Sequence, residues 1–233
     1  MLVRTFSEVC LTAGTVIVLF VGYVLLWTGV KADRAMDGES ARLHDRWSAA
    51  APAAAAGPGA SATPPAAPPT PAPAPAPEAG RAFAEMYVPR FGADWRKPVL
   101  EGTGTDVLKK GLGHYADTAL PGAGGNFSVA GHRRTYGDPF KDFPALRPGD
   151  LVIVKDASAW YTYTIRNEPL RTLPTDVAVV DPVPRKSPFT SPGRYLTLTT
   201  CDPEWGHSHR LIVWAELTAT RTAAQGPPQG LPG

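Results

Sequence analysis

Two cysteines and five histidines carry most of the nucleophilic and acid–base potential of this 233-residue chain. Cys10 lies in an uncharged apolar run and reads as a small hydrophobe there. Cys201 is then without a partner for an intrachain disulfide, and its thiol is buried and inert, paired with another chain, or reactive. It follows an alternating stretch, Tyr195–Thr200, that sets Leu196 and Leu198 on one face, and it precedes Asp202-Pro203, a turn signal whose proline stops the ladder. The thiol is therefore expected at a strand end. Nine residues on, Arg210 opens the apolar strand Leu211-Ile212-Val213-Trp214. Two antiparallel strands joined by Asp202–His209 bring Cys201 and Arg210 to one rim, where a guanidinium can lower a thiol pKa or stabilise an oxyanion. A solvated strand terminus is the commoner fate of an arginine.

A nucleophilic thiol needs a proton partner. His132 ends the alternating stretch Asn126–Ala130 just after Gly131, which puts it at a strand end and not on a long loop. His207 and His209 share the loop after Cys201; either can act as the base, or both can bind a metal with Asp202 and Glu204, although His-x-His in a loop is a weak metal signal. His114, in Gly113-His114-Tyr115, lines a pocket or caps a turn, and His44 sits in a charged segment to which no chemistry is assigned.

The elements that position these residues are mostly strands. Leu151–Val154 follows the turn Arg147-Pro148-Gly149-Asp150, Trp160–Arg166 alternates apolar residues with Thr, and Leu211–Leu217 is nearly continuously apolar. Prolines at 169, 174, 182, 184, 188 and 192 forbid a long helix there, and short strands with little room for helical crossovers imply a closed or half-closed all-β domain. That domain is expected over 86–221, followed by a disordered Gly/Pro tail at 222–233. Before it, Val9–Val30 is free of charge and as a helix reaches about 33 Å, enough to span a bilayer. Tyr23 and Trp27 lie in its second half, where aromatic belts form; a cleaved signal peptide is the rival, with Val30-Lys31-Ala32 small enough for a cleavage site, but the run exceeds its usual apolar core. A charged juxtamembrane segment, 31–47, comes next. In Ala49–Gly80, 15 Ala, 10 Pro and 3 Gly fill 28 of 32 positions, so a disordered, extended linker is expected over 48–85. Fully extended, that composition reaches on the order of 100 Å. Lys and Arg total 23 against 21 Asp and Glu, a balance that argues against a nucleic-acid partner. Counted literally, Arg4 before the span against Lys31, Arg34, Arg42 and Arg46 after it would place the C-terminal side in the cytoplasm.

The ordered set Gly131-His132-Arg133, Thr199-Thr200-Cys201-Asp202-Pro203 and Arg210 resembles the signature of the sortase family. The context Gly102-Thr103-Gly104, Gly111-x-Gly113-His114-Tyr115, Pro121-Gly122 and Gly125-Asn126-Phe127 is similar to the class E sortases of actinobacteria, and the likeness covers about Trp95 to Leu217. The resemblance implies an eight-stranded sortase barrel with short helices and loops, held outside a Gram-positive membrane by an N-terminal transmembrane helix. Residues 1–8 are then cytoplasmic and the catalytic domain extracellular, against the flanking charges. It implies Cys201 as nucleophile on the Thr–Gly carbonyl of a Leu-Ala-x-Thr-Gly or Leu-Pro-x-Thr-Gly sorting signal, His132 as acid–base group, and Arg210 as oxyanion or substrate-backbone donor. Partners are surface proteins bearing that signal, a lipid II-type peptidoglycan precursor whose amine resolves the thioester, and the membrane; no cofactor and no metal is implied. Thr200 is a candidate extra donor, Tyr115 a candidate for the pocket reading the second signal position, and Trp205 a candidate groove contact. An L,D-transpeptidase is the enzymatic rival, but its Ser-x-Gly-Cys-x-Arg pattern disagrees with Thr-Thr-Cys and an arginine nine residues on. A papain-like order fails because Cys201 follows His132. The non-enzymatic rival is a membrane-tethered β-domain binding wall or protein ligands with Cys201 buried.

Overall fold

Stretches of alternating apolar and polar residues become the strands of the barrel. The computed structural model describes residues 2–55, 76–229 and 231. Its strands are β1 Ala82–Tyr87, β2 Arg96–Glu101, β3 Leu112–His114, β4 Gly125–Ala130, β5 Leu151–Lys155, β6 Ala159–Ile165, β7 Leu170–Thr172, β8 Arg194–Asp202 and β9 His209–Thr222. They pair in the order β6-β5-β1-β2-β3-β4-β8-β9-β7, and a further β6–β9 pairing closes the ring. Eight strands thus form a closed barrel, as the resemblance implies, with β7 added outside it on β9. Closure depends on the length of β9. Its 14 residues pair first with β8 over His209–Glu216 and then with β6 over Ala215–Thr222. The β2–β3 and β4–β8 pairs are parallel and the other ring neighbours antiparallel.

Inward-pointing positions fill the barrel: Ala84 and Met86 of β1, Phe127 and Val129 of β4, Val152 and Val154 of β5, Leu196 and Leu198 of β8, and Leu211, Val213 and Ala215 of β9 are all buried in one cluster. Alternate residues of the same strands point outward, as the period of two requires.

Helix α1, Leu2–Ala55, precedes the barrel. Within it Arg4–Tyr23 has a mean hydropathy of 1.8 over 20 residues and is long and apolar enough to cross a membrane. The expected juxtamembrane segment is continuous with it. Ala32, Met36, Glu39 and Leu43 are buried at helical spacing, and this stripe docks on the outside of β1 and β2, where Leu43 meets Ala82 and Leu100 with Trp47 and Val107 alongside. The expected 48–85 linker is shorter than composition suggests at both ends. Alanine, the strongest helix former, carries α1 on to Ala55. At the other end β1 starts at Ala82, because Ala82 and Ala84, 3% and 0% exposed, are small enough to fit beneath the helix and inside the barrel. Residues 56–75, the middle of that linker, lie outside the described residues. The tail also differs from expectation. Thr222 and Gln225 form a reciprocal capping box that turns Ala223–Gln225 into a single 3-10 turn, while 230, 232 and 233 lie outside the described residues.

Candidate active site

Strand register brings three of the sequence-derived residues to one rim. Cys201 and Arg210 are direct antiparallel partners on β8 and β9. Side chains of such partners lie on the same face, with Cβ atoms about 5 Å apart. On the other side of β8, the parallel pairing with β4 ends at Ala130 opposite Thr199. His132 and Cys201 each lie two residues beyond that pair, so they leave the sheet level with one another. All three belong to the outward parity: Thr197 and Thr199 precede Cys201, Asn126 and Ser128 precede His132, and Ile212 and Trp214 follow Arg210. Cys201 is a free thiol, half-buried. The loop joining β8 to β9 is Pro203–Ser208, shorter than expected because both strands extend toward the rim.

Outward positions here are not left to water. Thr197 Oγ1 donates to Asn126 Oδ1 at 2.9 Å, Asn126 Nδ2 to Asp181 O at 3.0 Å, and Trp214 Nε1 to Val179 O at 3.0 Å. These bonds fasten the segment between β7 and β8 over the outside of the barrel, where Val179 packs on Ile212 and Trp214. Tyr115 stands on the Cys201 side, its hydroxyl 3.1 Å from Thr199 Oγ1. Thr200 does not. It shares the inward parity of Leu196 and Leu198, and its buried hydroxyl donates to Gly131 O at 2.9 Å. That bond ties the residue before the nucleophile to the residue before His132, so Thr200 holds the two strand ends together. Gly131 must be glycine for a related reason: a Cβ there would lie 2.6 Å from Phe140 Cδ2 and 2.8 Å from Leu112 Cδ2.

His132 is half-buried, with Nε2 lacking any hydrogen-bond partner among the described residues and the Tyr136 ring 5.0 Å away at 41°. Burial pushes its pKa below the usual imidazole value; Asp138 pulls it up and Lys109 pushes it down, and the net direction is down. Residues flanking the pair form a second bond across the site. Arg133 Nη1 donates to Asp202 Oδ1 at 2.5 Å and Arg171 Nε to Asp202 Oδ2 at 2.6 Å. Burial raises the Asp202 pKa, but the bonds from Arg171 and Arg133 outweigh it and hold the carboxyl below its usual range. The sequence reading gave no site role to Arg133, Arg171, Tyr136, Asp138 or Lys109. For Arg133 and Asp202 a signal existed, since each directly follows a candidate catalytic residue with opposite charge.

Arg210 Nη1 donates to His207 O at 3.0 Å and His209 O at 2.9 Å, which fixes the fork at the mouth of the site and leaves its other N–H groups for an anion. Trp205 is 70% exposed, with the Arg134 guanidinium 5.1 Å from its ring, and Arg134 is paired with Glu204. His209 and His114 have other partners. His209 Nδ1 lies 3.0 Å from Arg171 Nη2, and buried His114 contacts Glu101 at 2.7 Å through Nδ1 and Thr118 at 3.0 Å through Nε2. His114 is therefore a core residue and not a pocket lining. Among the described residues no group of three or more His, Cys, Asp or Glu converges as metal ligands do. A cleft of about 540 Å³ lined by His44, Tyr87, Arg96, Lys155 and Trp160 lies across the ring, on the β1–β5–β6 side, and shares no residue with this site.

The arrangement can run acyl transfer: a thiol, an imidazole to move protons, and a guanidinium for developing negative charge. A family model described as sortase domain matches residues 86–218. Sortase SrtE1 of Streptomyces coelicolor is 36% identical over 235 residues, covering 98% of this chain; the chain spans 60% of that relative's length. The solved structure of sortase E from Streptomyces avermitilis is 62% identical, with a TM-score of 0.63 over 66% of this chain and 99% of that one. Sortase E1 from Streptomyces coelicolor, solved with a tripeptide in its active site, is 39% identical, with a TM-score of 0.61 over 65% of this chain and 96% of that one.

Proposed function

The chain belongs to the sortase family, in its class E branch, and from that premise we propose that it is a membrane-anchored cysteine transpeptidase. Cys201, as thiolate, attacks the carbonyl carbon of the Thr–Gly bond in a Leu-Ala-x-Thr-Gly or Leu-Pro-x-Thr-Gly signal. The resulting oxyanion is met by the Arg210 guanidinium. His132, as imidazolium, gives its proton to the glycine nitrogen as the C–N bond breaks, leaving a thioester on Cys201. An amine of a lipid II-type precursor then attacks the thioester. His132 takes that amine's proton, and Cys201 leaves as thiolate. The α1 segment Val9–Val30 anchors the chain in a single pass, with its N-terminus in the cytoplasm and the barrel outside.

The observation that carries this reading is the register: Cys201 faces Arg210 across β8–β9 and stands level with His132 across β4–β8. The side-chain parity of all three residues agrees with it. The test is incubation of the full chain with both peptides and a small amine, followed by mass spectrometry. A thioacyl adduct on Cys201 and an amide product, both lost in Cys201→Ala, are expected. No adduct with either peptide, or one that survives Cys201→Ala, refutes the mechanism.

A further inference from the structure

The loop after His132 has a backbone that its own residues do not favour. Thr135, Tyr136, Gly137 and Asp138 have φ of 91°, 49°, 78° and 47°, four left-handed residues in succession of which three carry side chains. Such a run persists only where its surroundings impose it. Part of the constraint is local: Thr135 N donates to Asp138 Oδ1 at 2.5 Å, and Arg134 is paired with Glu204 and lies 3.4 Å from Asp138. The rest comes from α1. A Cβ at Gly137 would collide with the Met36 methyl and lie 2.8 Å from Asp33 Oδ1 and 3.7 Å from Ala32 Cβ, so the helix rests directly on this glycine. Met36 is 2% exposed. Beside Gly137, Tyr136 packs its ring on His132.

The helix is itself held in place. Asp33 Oδ1 lies 3.8 Å from Lys97 Nζ, His44 Nε2 is 2.9 Å from the fully buried Glu85, and Arg46 donates to Ala82 O. Lys155 sits 4.5 Å from the Trp47 ring centroid. A path of contacts therefore runs from the docked helix through Met36, Gly137 and Tyr136 to His132.

We infer that Met36 is a positioning residue for His132: by pressing on Gly137 it keeps the 135–138 turn left-handed and Tyr136 against the imidazole. The inference rests on the reading of His132 as the acid–base group. Losing the Met36 side chain lets the turn relax toward right-handed backbone, moves Tyr136 off the ring and readmits water. The charged and titratable groups facing His132 are Asp138 and Tyr136 of its own loop, Lys109 from the turn after residues 105–108, Cys201 on β8 and Arg210 on β9. None of these is altered by substituting Met36.

The experiment uses the full chain in detergent with labelled histidines, the His132 resonance being assigned by its loss in His132→Asn. In Met36→Ala the His132 pKa is expected to rise toward the ordinary imidazole value, and kcat for peptide-to-amine transfer to fall about tenfold with KM within about twofold, as a misplaced catalytic group produces. Met36→Leu, close in volume, restores both. An unchanged His132 titration in Met36→Ala overturns the proposal, whether or not the thermal midpoint moves. The titration needs no turnover. A chain that transfers no peptide therefore refutes the transpeptidase reading, while the titration still decides the role of Met36.

Discussion

His132 is half-buried and its neighbours pull its titration in opposite directions, so the signs of two substitutions are fixed in advance. Asp138→Asn removes the charge that raises its pKa and lowers it further; Lys109→Met removes a charge that lowers it and raises it. Histidine NMR titrations of the two variants check both directions. A folded pKa below the unfolded value of about 6.5 means the unfolded chain binds the extra proton, so the His132 contribution to stability falls as pH drops from about 6.5 toward the folded pKa and is constant below it. Asp202 has the opposite sign. Its depressed pKa contributes stability above the ordinary aspartate value of about 3.9, which is lost as pH falls through the folded pKa. Asp202→Asn is therefore expected to be less stable than the parent near neutral pH, with the gap in urea midpoint closing in acid. Transfer activity falls as well, since Arg133, beside His132, loses its anchor. Parity already places Thr200 inward, on the Leu196 and Leu198 side and away from Cys201. Its role as a tie to Gly131 was not legible, because strand pairing joins residues 69 apart.

Strand ends position this chemistry, and just past β4 Gly131 is tied to β8 twice, its N–H donating to Thr199 O and its carbonyl accepting from Thr200 Oγ1. An added methyl at Gly131 meets Phe140 and Leu112, two side chains packed at the barrel end, with Phe140 stacked on Trp95 at 6.2 Å. Gly131→Ala is expected to cost about 1–3 kcal/mol, the usual range for overpacking. It should also lower kcat more than stability loss explains, since the displaced residue carries His132. Chemical denaturation paired with turnover below the transition separates the two effects. Strands β5, β6, β8 and β9 were legible because β6 and β8 alternate apolar residues with Thr, while Leu151–Val154 and Leu211–Leu217 are apolar runs rich in β-formers. The short β7 sits between Pro169 and Pro174, and β1 is built on alanines, so neither has an apolar pattern to read. The docked stripe of α1 was hidden because its buried positions mix Ala, Met, Glu and Leu, and Glu39 breaks the apolar repeat.

The whole chain joins a segment able to cross a bilayer to a barrel that grips the same helix only a few turns later. From Val30, the end of the uncharged run, to Met36 is 6 residues, about 9 Å of helix. An extended Ala/Pro linker alone would let the barrel range on the order of 100 Å from the membrane. Docking changes this: if Val9–Val30 spans the bilayer, helical rise and not linker length sets the distance of Cys201 from the surface. The prediction concerns the Cys10→Ser chain, labelled on Cys201 with a donor dye and placed in vesicles carrying acceptor-labelled headgroups. Energy transfer is expected to stay unchanged when twenty Gly/Ser residues are inserted between Ala55 and Ala76, because the inserted length lies outside the docked contact. Leu43→Asp, which places a charge against Ala82 and Leu100, is expected to undock the helix, lower the transfer and make it depend on linker length. Transfer that falls with the insertion in the parent chain would show the barrel to be freely tethered and the docked helix not to set its height.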